Sequence, residues 1–116
     1  MIVSINDPIV GESRITAKQV KEWYVQTFDR PVPTPVSDYI DEAYRLCQLV
    51  RFDFLLIASQ SSHETDNWQS WFWMNRFNAS GIGITGDPDQ NDDSQIWRNG
   101  TDAARGHVVH MAAYVY

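Results

Sequence analysis

The run Phe54-Leu-Leu-Ile-Ala-Ser-Gln-Ser-Ser-His-Glu64-Thr65 opens apolar and ends polar. Phe54 to Ala58 are apolar nearly all round, which marks a helix buried on most of its sides. Asp53 stands where an N-cap belongs, so a helix is expected from Phe54 to about Thr65. That helix delivers one carboxylate, Glu64, at its end. Beyond it the chain turns aromatic and glycine-punctuated, through Trp68, Trp71 and Trp73 to Asn78-Ala-Ser-Gly81-Ile-Gly83-Ile-Thr-Gly86.

Working outward, the chain turns near Arg51–Asp53 after another helix. Ser37 or Asp38 is its expected cap, with Asp38, Asp41 and Glu42 in the first turn, where they suit the helix dipole. Ile40, Ala43, Tyr44, Cys47 and Val50 form its apolar stripe. Pro31, Pro33 and Pro35 before it make a stiff extended connector. Upstream, Thr16 and Gln19 have capping-box spacing, and Val20, Trp23, Tyr24 and Phe28 share one face of a first helix. Met1–Arg14 reads as an irregular lead-in, broken by Asp7-Pro8 and Gly11. Downstream, Asp66 to Arg98 is weakly regular. The alternation of Trp71 and Trp73 with Phe72 and Met74 suits a short strand or a loop. Thr85 to Asp93 reads as an exposed polar turn region. Thr101 or Asp102 is then expected to cap a last helix running nearly to Tyr116. Its core stripe is Ala104, Val108, Met111 and Val115, beside a second stripe of Ala103, His107, His110 and Tyr114. The expected fold is a single, mainly α domain over residues 1–116, with a central buried helix and an irregular aromatic, glycine-rich lobe.

Composition narrows the function classes. The 116 residues suffice for one modest core, and a net charge of -6 with no Lys after Lys21 argues against nucleic acid. The same charge argues against adhesion to anionic membranes, and no apolar run is long enough to insert in one. The single cysteine, Cys47, excludes an internal disulfide and a cysteine metal cluster, and its apolar context suits a buried small hydrophobe. No charged n-region precedes a long apolar stretch at the N-terminus, so no signal peptide is expected in this chain. Aromatics make up 13% of the chain, with five Trp, which serves a core or a surface that grips flat apolar faces such as sugar rings.

A carboxyl at the end of an apolar helix, among aromatics, is expected to be desolvated. Desolvation disfavours the charged form, the condition for a general acid. A solvated helix-end glutamate is the commoner outcome for the residue type. Gln60-Ser-Ser-His-Glu64-Thr65, Trp68 and Asn78-Ala-Ser-Gly81-Ile-Gly83 together resemble the signature of bacterial and phage glucosaminidase domains. These are peptidoglycan hydrolases of glycoside hydrolase family 73, within the lysozyme-like superfamily. Asp66 stands where that pattern usually has Gly, and Trp68 is displaced by one residue. The closing helix, with His107, His110 and Tyr114, resembles the family's late helix.

The resemblance implies a lysozyme-like fold and Glu64 as the acid that protonates a β-1,4 glycosidic oxygen of the peptidoglycan glycan strand. It implies that Gln60, Thr65 and Asn78 hold acid and sugar, and that Gly81 and Gly83 allow close backbone approach. Trp68, Trp71 and Trp73 would stack on sugar faces, His107 and His110 line the groove, and Tyr114 supports Glu64. The second carboxylate is open: Asp87 is the candidate among Asp66, Asp89, Asp92 and Asp93, and substrate assistance would need none of them. His107 and His110 have an i, i+3 spacing that can bind zinc, but no third ligand is identifiable, so neither a metal nor another cofactor is expected. Action on the cell wall, by a secreted or phage-delivered monomer or a domain of a larger protein, is the implied setting. A lytic transglycosylase on the same fold, or a non-catalytic glycan-binding or phage structural module, are the alternatives.

Overall fold

Most helices of this chain begin where a side chain takes up the unpaired N–H groups of the first turn. In the computed structural model, which describes residues 8–81 and 96–116, α1 spans Ala17–Phe28. Thr16 Oγ1 accepts from Gln19 N at 3.2 Å and Gln19 Oε1 accepts from Thr16 N at 2.9 Å, the expected capping box. α2 spans Thr34–Val50 and α3 spans Phe54–Glu64. Asp53 caps α3 as expected, its Oδ1 accepting from Leu55 N at 3.0 Å. α4 spans Trp71–Arg76 and α5 spans Gly100–Val115. Among the described residues the architecture is helical, with no strand.

Three boundaries differ from expectation. α2 starts before Ser37, with Pro35 inside its first turn. Proline is tolerated there because the missing N–H would have had no helical partner. Glu42 is therefore deep in α2 and buried, and it pairs with Arg45 Nε at 2.5 Å and Arg105 Nε at 2.8 Å, tying α2 to α5. These guanidinium groups hold the Glu42 carboxyl below the usual carboxylate range. Residues 71–76 form neither strand nor loop, because Ser70 Oγ accepts from Trp73 N at 3.3 Å and starts a helix. α5 is capped by Asn99, whose Oδ1 accepts from Asp102 N at 2.8 Å, ahead of the expected Thr101 or Asp102.

The core gathers around α2, which packs along α5 and also meets α1 and α3. Val36, Tyr39, Ile40, Ala43 and Cys47 are its buried face, with Tyr44 and Val50 only partly covered. Full burial of each large aliphatic side chain there stabilises by roughly 1.5–3 kcal/mol. On α5 the buried face is Ala103, Ala104, His107 and Val108, which falls between the two expected stripes; Val115 is exposed. Burial pushes the Cys47 thiol up to about 12, so it stays protonated at neutral pH.

The lead-in is irregular, as expected, yet pinned. Val10 pairs with Phe52 in an isolated antiparallel bridge, where Gly11 N donates to Arg51 O at 2.8 Å and Asp53 N to Ile9 O at 2.7 Å. Ser13 Oγ accepts from Phe54 N at 3.1 Å and donates to Phe52 O at 3.2 Å. Arg14 Nε lies 2.5 Å from Asp53 Oδ2. The start of α3 is thus fastened from both sides.

The closest approach of α5 to α2 is made by backbone. A Cβ added at Gly100 would overlap the Pro35 carbonyl oxygen and crowd Tyr39 N. Gly100→Ala is expected to destabilise the fold by about 1–3 kcal/mol, since neither backbone can retreat without opening the core. A urea titration that leaves the midpoint unchanged would refute this reading of the contact.

Candidate functional site

α3 ends at Glu64, whose side chain is exposed rather than desolvated. The sequence expectation of a buried carboxyl is corrected here: the apolar part of α3 lies a full turn earlier, and Ile57, Ala58 and Ser61 carry the burial. After α3 the chain reverses through a left-handed turn. Asp66, Asn67 and Trp68 have φ values of 50, 56 and 59. Left-handed backbone costs roughly 1–2 kcal/mol per non-glycine residue, though Asp and Asn tolerate it best.

Local hydrogen bonds hold the turn. Buried Thr65 donates from Oγ1 to Ser61 O at 2.6 Å and accepts from Trp68 N at 2.8 Å. Asn67 N donates to Ser62 O at 2.8 Å, and Ser70 N to Thr65 O at 2.9 Å. The turn swings Trp68 back beneath α3 into the core.

The Asn78–Gly81 segment returns to the end of α3. Gly81 has φ +69, and a Cβ there would lie 3.1 Å from Glu64 Oε2 and 3.9 Å from its carboxyl carbon. Glycine serves both demands at this position, the positive φ and the close approach. Asn78 and Ala79 are buried beneath the turn, and Ser80 Oγ is enclosed with no hydrogen-bond partner among the described residues. The two halves of the sequence signature therefore converge on one carboxylate.

Behind this surface runs a chain of buried polar groups. Trp68 Nε1 donates to Ser61 Oγ at 2.9 Å, and Ser61 bonds the Tyr39 phenol. Tyr39 Oη lies 2.7 Å from His107 Nδ1, and His107 Nε2 lies 2.8 Å from Gln60 Oε1. Burial pushes the Tyr39 phenol up, so it stays protonated. Burial, with repulsion from His110, pushes the His107 imidazolium down to about 4, so the ring is neutral at pH 7.

The remaining expected site residues are distributed unevenly. Trp68 and Trp73 are core residues rather than sugar platforms. Trp68 leans on Tyr24 and Tyr39 at 6.3 and 6.1 Å, and Trp73 stands edge-on to Tyr39 at 5.8 Å. Indole area fills a small interior well, which explains the choice. Both also line a cavity of about 470 Å³ with Arg30, Pro33 and Phe77; Glu64 is not among its walls. Trp71 is exposed, with the Arg76 guanidinium 5.0 Å over its ring. Thr65, Asn78 and His107 are buried, so they support the surface from below. Tyr114 is exposed on the last turn of α5, edge-on to His110 at 5.0 Å. Asp87 and Gly83 lie outside the described residues. Among the described residues no three of His, Cys, Asp and Glu form a metal-holding group, and no helix is long and apolar enough to cross a membrane.

Two contributors escape a reading of sequence. Tyr39 sits among Val36, Ile40 and Ala43 on an apolar stripe, and Ser61 is one of three serines in α3. Neither spacing signals a polar network. No protein-family model, curated protein or solved structure matches the chain.

The buried neutral His107 has a consequence for stability. Below its ordinary value of 6.5 the unfolded chain takes up a proton that the folded chain refuses until about 4. Stability is then expected to fall as pH drops, by about 2 kcal/mol between pH 7 and pH 5. Urea midpoints of wild type and His107→Gln at both pH values check this, because the variant loses most of the difference. Equal wild-type midpoints at the two pH values would count against a buried neutral ring.

Proposed function

We propose that the chain is a lysozyme-like glycoside hydrolase that cleaves β-1,4 bonds of the peptidoglycan glycan strand, in the manner of an endo-N-acetylglucosaminidase, with Glu64 as general acid. The observation that carries this reading is the contact of Gly81 with the Glu64 carboxylate. Two stretches far apart in sequence, which together resemble the glucosaminidase signature, meet at one acid. The φ of 50 at Asp66 adds support, since that backbone is the one glycine adopts most readily where the signature has Gly.

In this reading the protonated Glu64 carboxyl donates to the oxygen leaving the anomeric carbon, and an incoming water completes hydrolysis. The exposed carboxyl loses its water when a glycan covers it, which strengthens the proton transfer at the moment it is needed. Gly81 leaves room for the strand to pass close to the acid, and exposed Trp71 offers an aromatic face. The base or nucleophile is Asp87, or the substrate's own acetamido group takes that part. The exposure of Glu64 favours a second reading, a glycan-binding module without catalysis.

Sugar release from purified cell walls separates the two. Glu64→Gln is expected to lower the rate about 10²–10⁴-fold, the usual contribution of a general acid. A variant as active as wild type would remove Glu64 from the mechanism. A wild type that binds walls and releases nothing selects the binding module, and products with anhydro ends instead of reducing ends select a transglycosylase. Gly81→Ala is expected to cut the rate at least tenfold while costing about 1 kcal/mol of stability, because its Cβ pushes the carboxyl aside and the backbone is strained. Unchanged kinetics with the same small loss of stability would separate Gly81 from the site.

A further inference from the structure

We propose that Gln60 donates from its amide nitrogen to an acceptor oxygen of the bound glycan, and that Tyr39 and His107 are positioning residues that dictate which end of this amide faces outward. The inference rests on the reading of Glu64 as the acid of a glycan site.

The argument is one of hydrogen-bond polarity. An indole N–H can only donate, so Ser61 Oγ must accept from Trp68 Nε1 at 2.9 Å. The one Ser61 proton is then available to the Tyr39 oxygen, which it bonds. Tyr39 in turn has one proton, and the remaining partner of its oxygen is His107 Nδ1 at 2.7 Å. With Nδ1 accepting, the ring proton of the neutral imidazole sits on Nε2, 2.8 Å from Gln60 Oε1. The Gln60 oxygen is thereby held inward, and the amide offers its two N–H groups on the outer side. The opposite polarity would require the indole nitrogen to accept, which it cannot.

Placement makes this a site rather than a buried curiosity. Gln60 and Glu64 are four residues apart on α3 and share a face, one helical turn separating them. Gln60 is half-buried and Glu64 exposed, so the amide lies on the path from core to surface. Both face a ligand whose oxygen atoms outnumber its donors only if the amide nitrogen points outward. A Gln60 that serves only to satisfy His107 would need nothing beyond its oxygen.

The substitution Gln60→Glu separates these roles, since it keeps an acceptor for His107 and removes both outward donors. Gln60→Met, which removes both groups without adding charge, controls for repulsion with Glu64. Binding of the N-acetylglucosamine tetramer is measured by calorimetry in a Glu64→Gln background, where no cleavage intervenes. Both variants are expected to weaken binding about tenfold, the worth of one lost hydrogen bond, with the thermal midpoint of Gln60→Glu near that of the background. Long-range ¹H–¹⁵N spectra give a readout that a merely structural role would not predict. His107 is expected to be protonated on Nε2 at pH 7, and Tyr39→Phe to shift its ring toward a mixture of tautomers and weaken the tetramer severalfold.

Protonation of wild-type His107 on Nδ1, or unchanged tetramer affinity in Gln60→Glu and Gln60→Met, overturns the inference while leaving the glycan reading in place. A wild type that neither cleaves walls nor binds the tetramer overturns the glycan reading, and the ligand assigned to Gln60 falls with it.

Discussion

Buried donors and acceptors tolerate far fewer arrangements than buried methyl groups do. Trp68, Ser61, Tyr39 and His107 each bring a polar atom into the interior, from the turn after α3, from α3 itself, from α2 and from α5. Leaving one of these atoms without a partner would cost about 1–3 kcal/mol, comparable to losing a large core side chain. Apolar packing of α2 against α5 would survive small slides and rotations, because many shapes fill space comparably well. The hydrogen-bonded chain would not. It sets the rotation of α5 about its axis and the depth of α3, and so it decides where Glu64 emerges.

The left-handed turn at Asp66, Asn67 and Trp68 is the second constraint, and it depends on the first. Three consecutive residues with positive φ are unfavourable by themselves, and what offsets them is the burial of the Trp68 indole together with its bond to Ser61. The strained segment begins two residues after Glu64. Because the chain doubles back immediately, the carboxyl is left at a corner with nothing of α3 beyond it. The Asn78–Gly81 segment closes that corner from the other side, with glycine as the only residue type that meets both the backbone and the space requirement.

The layered character of the site follows from these two constraints. Residues that the sequence groups together as a single binding set separate into an outer layer and a supporting one. Gln60, Glu64, Trp71 and Gly81 reach the surface or lie near it, whereas Thr65, Asn78, His107, Trp68 and Trp73 sit beneath. Spacing along a helix tells which residues share a face, but it does not tell whether another helix will cover that face. α5 covers His107 and leaves His110 half-covered, although both belong to the same stripe.

Local chemistry was readable from the chain alone. The Thr16–Gln19 capping box, the Asp53 cap and the apolar body of α3 involve residues within a few positions of one another, so their energetics hardly depend on the rest of the molecule. The helical class and the placement of Glu64 at the end of α3 followed from those signals. Helix starts failed where a tertiary contact or a tolerated proline outweighed local preference, as at Pro35 and Asn99. Only the folded structure decided that Trp68 and Trp73 are interior, that Glu64 is exposed, that Gly81 touches it, and that Tyr39 and His107 form one network. Each of these depends on groups brought together from distant positions, and burial is a property of the neighbours a residue acquires rather than of the residue itself.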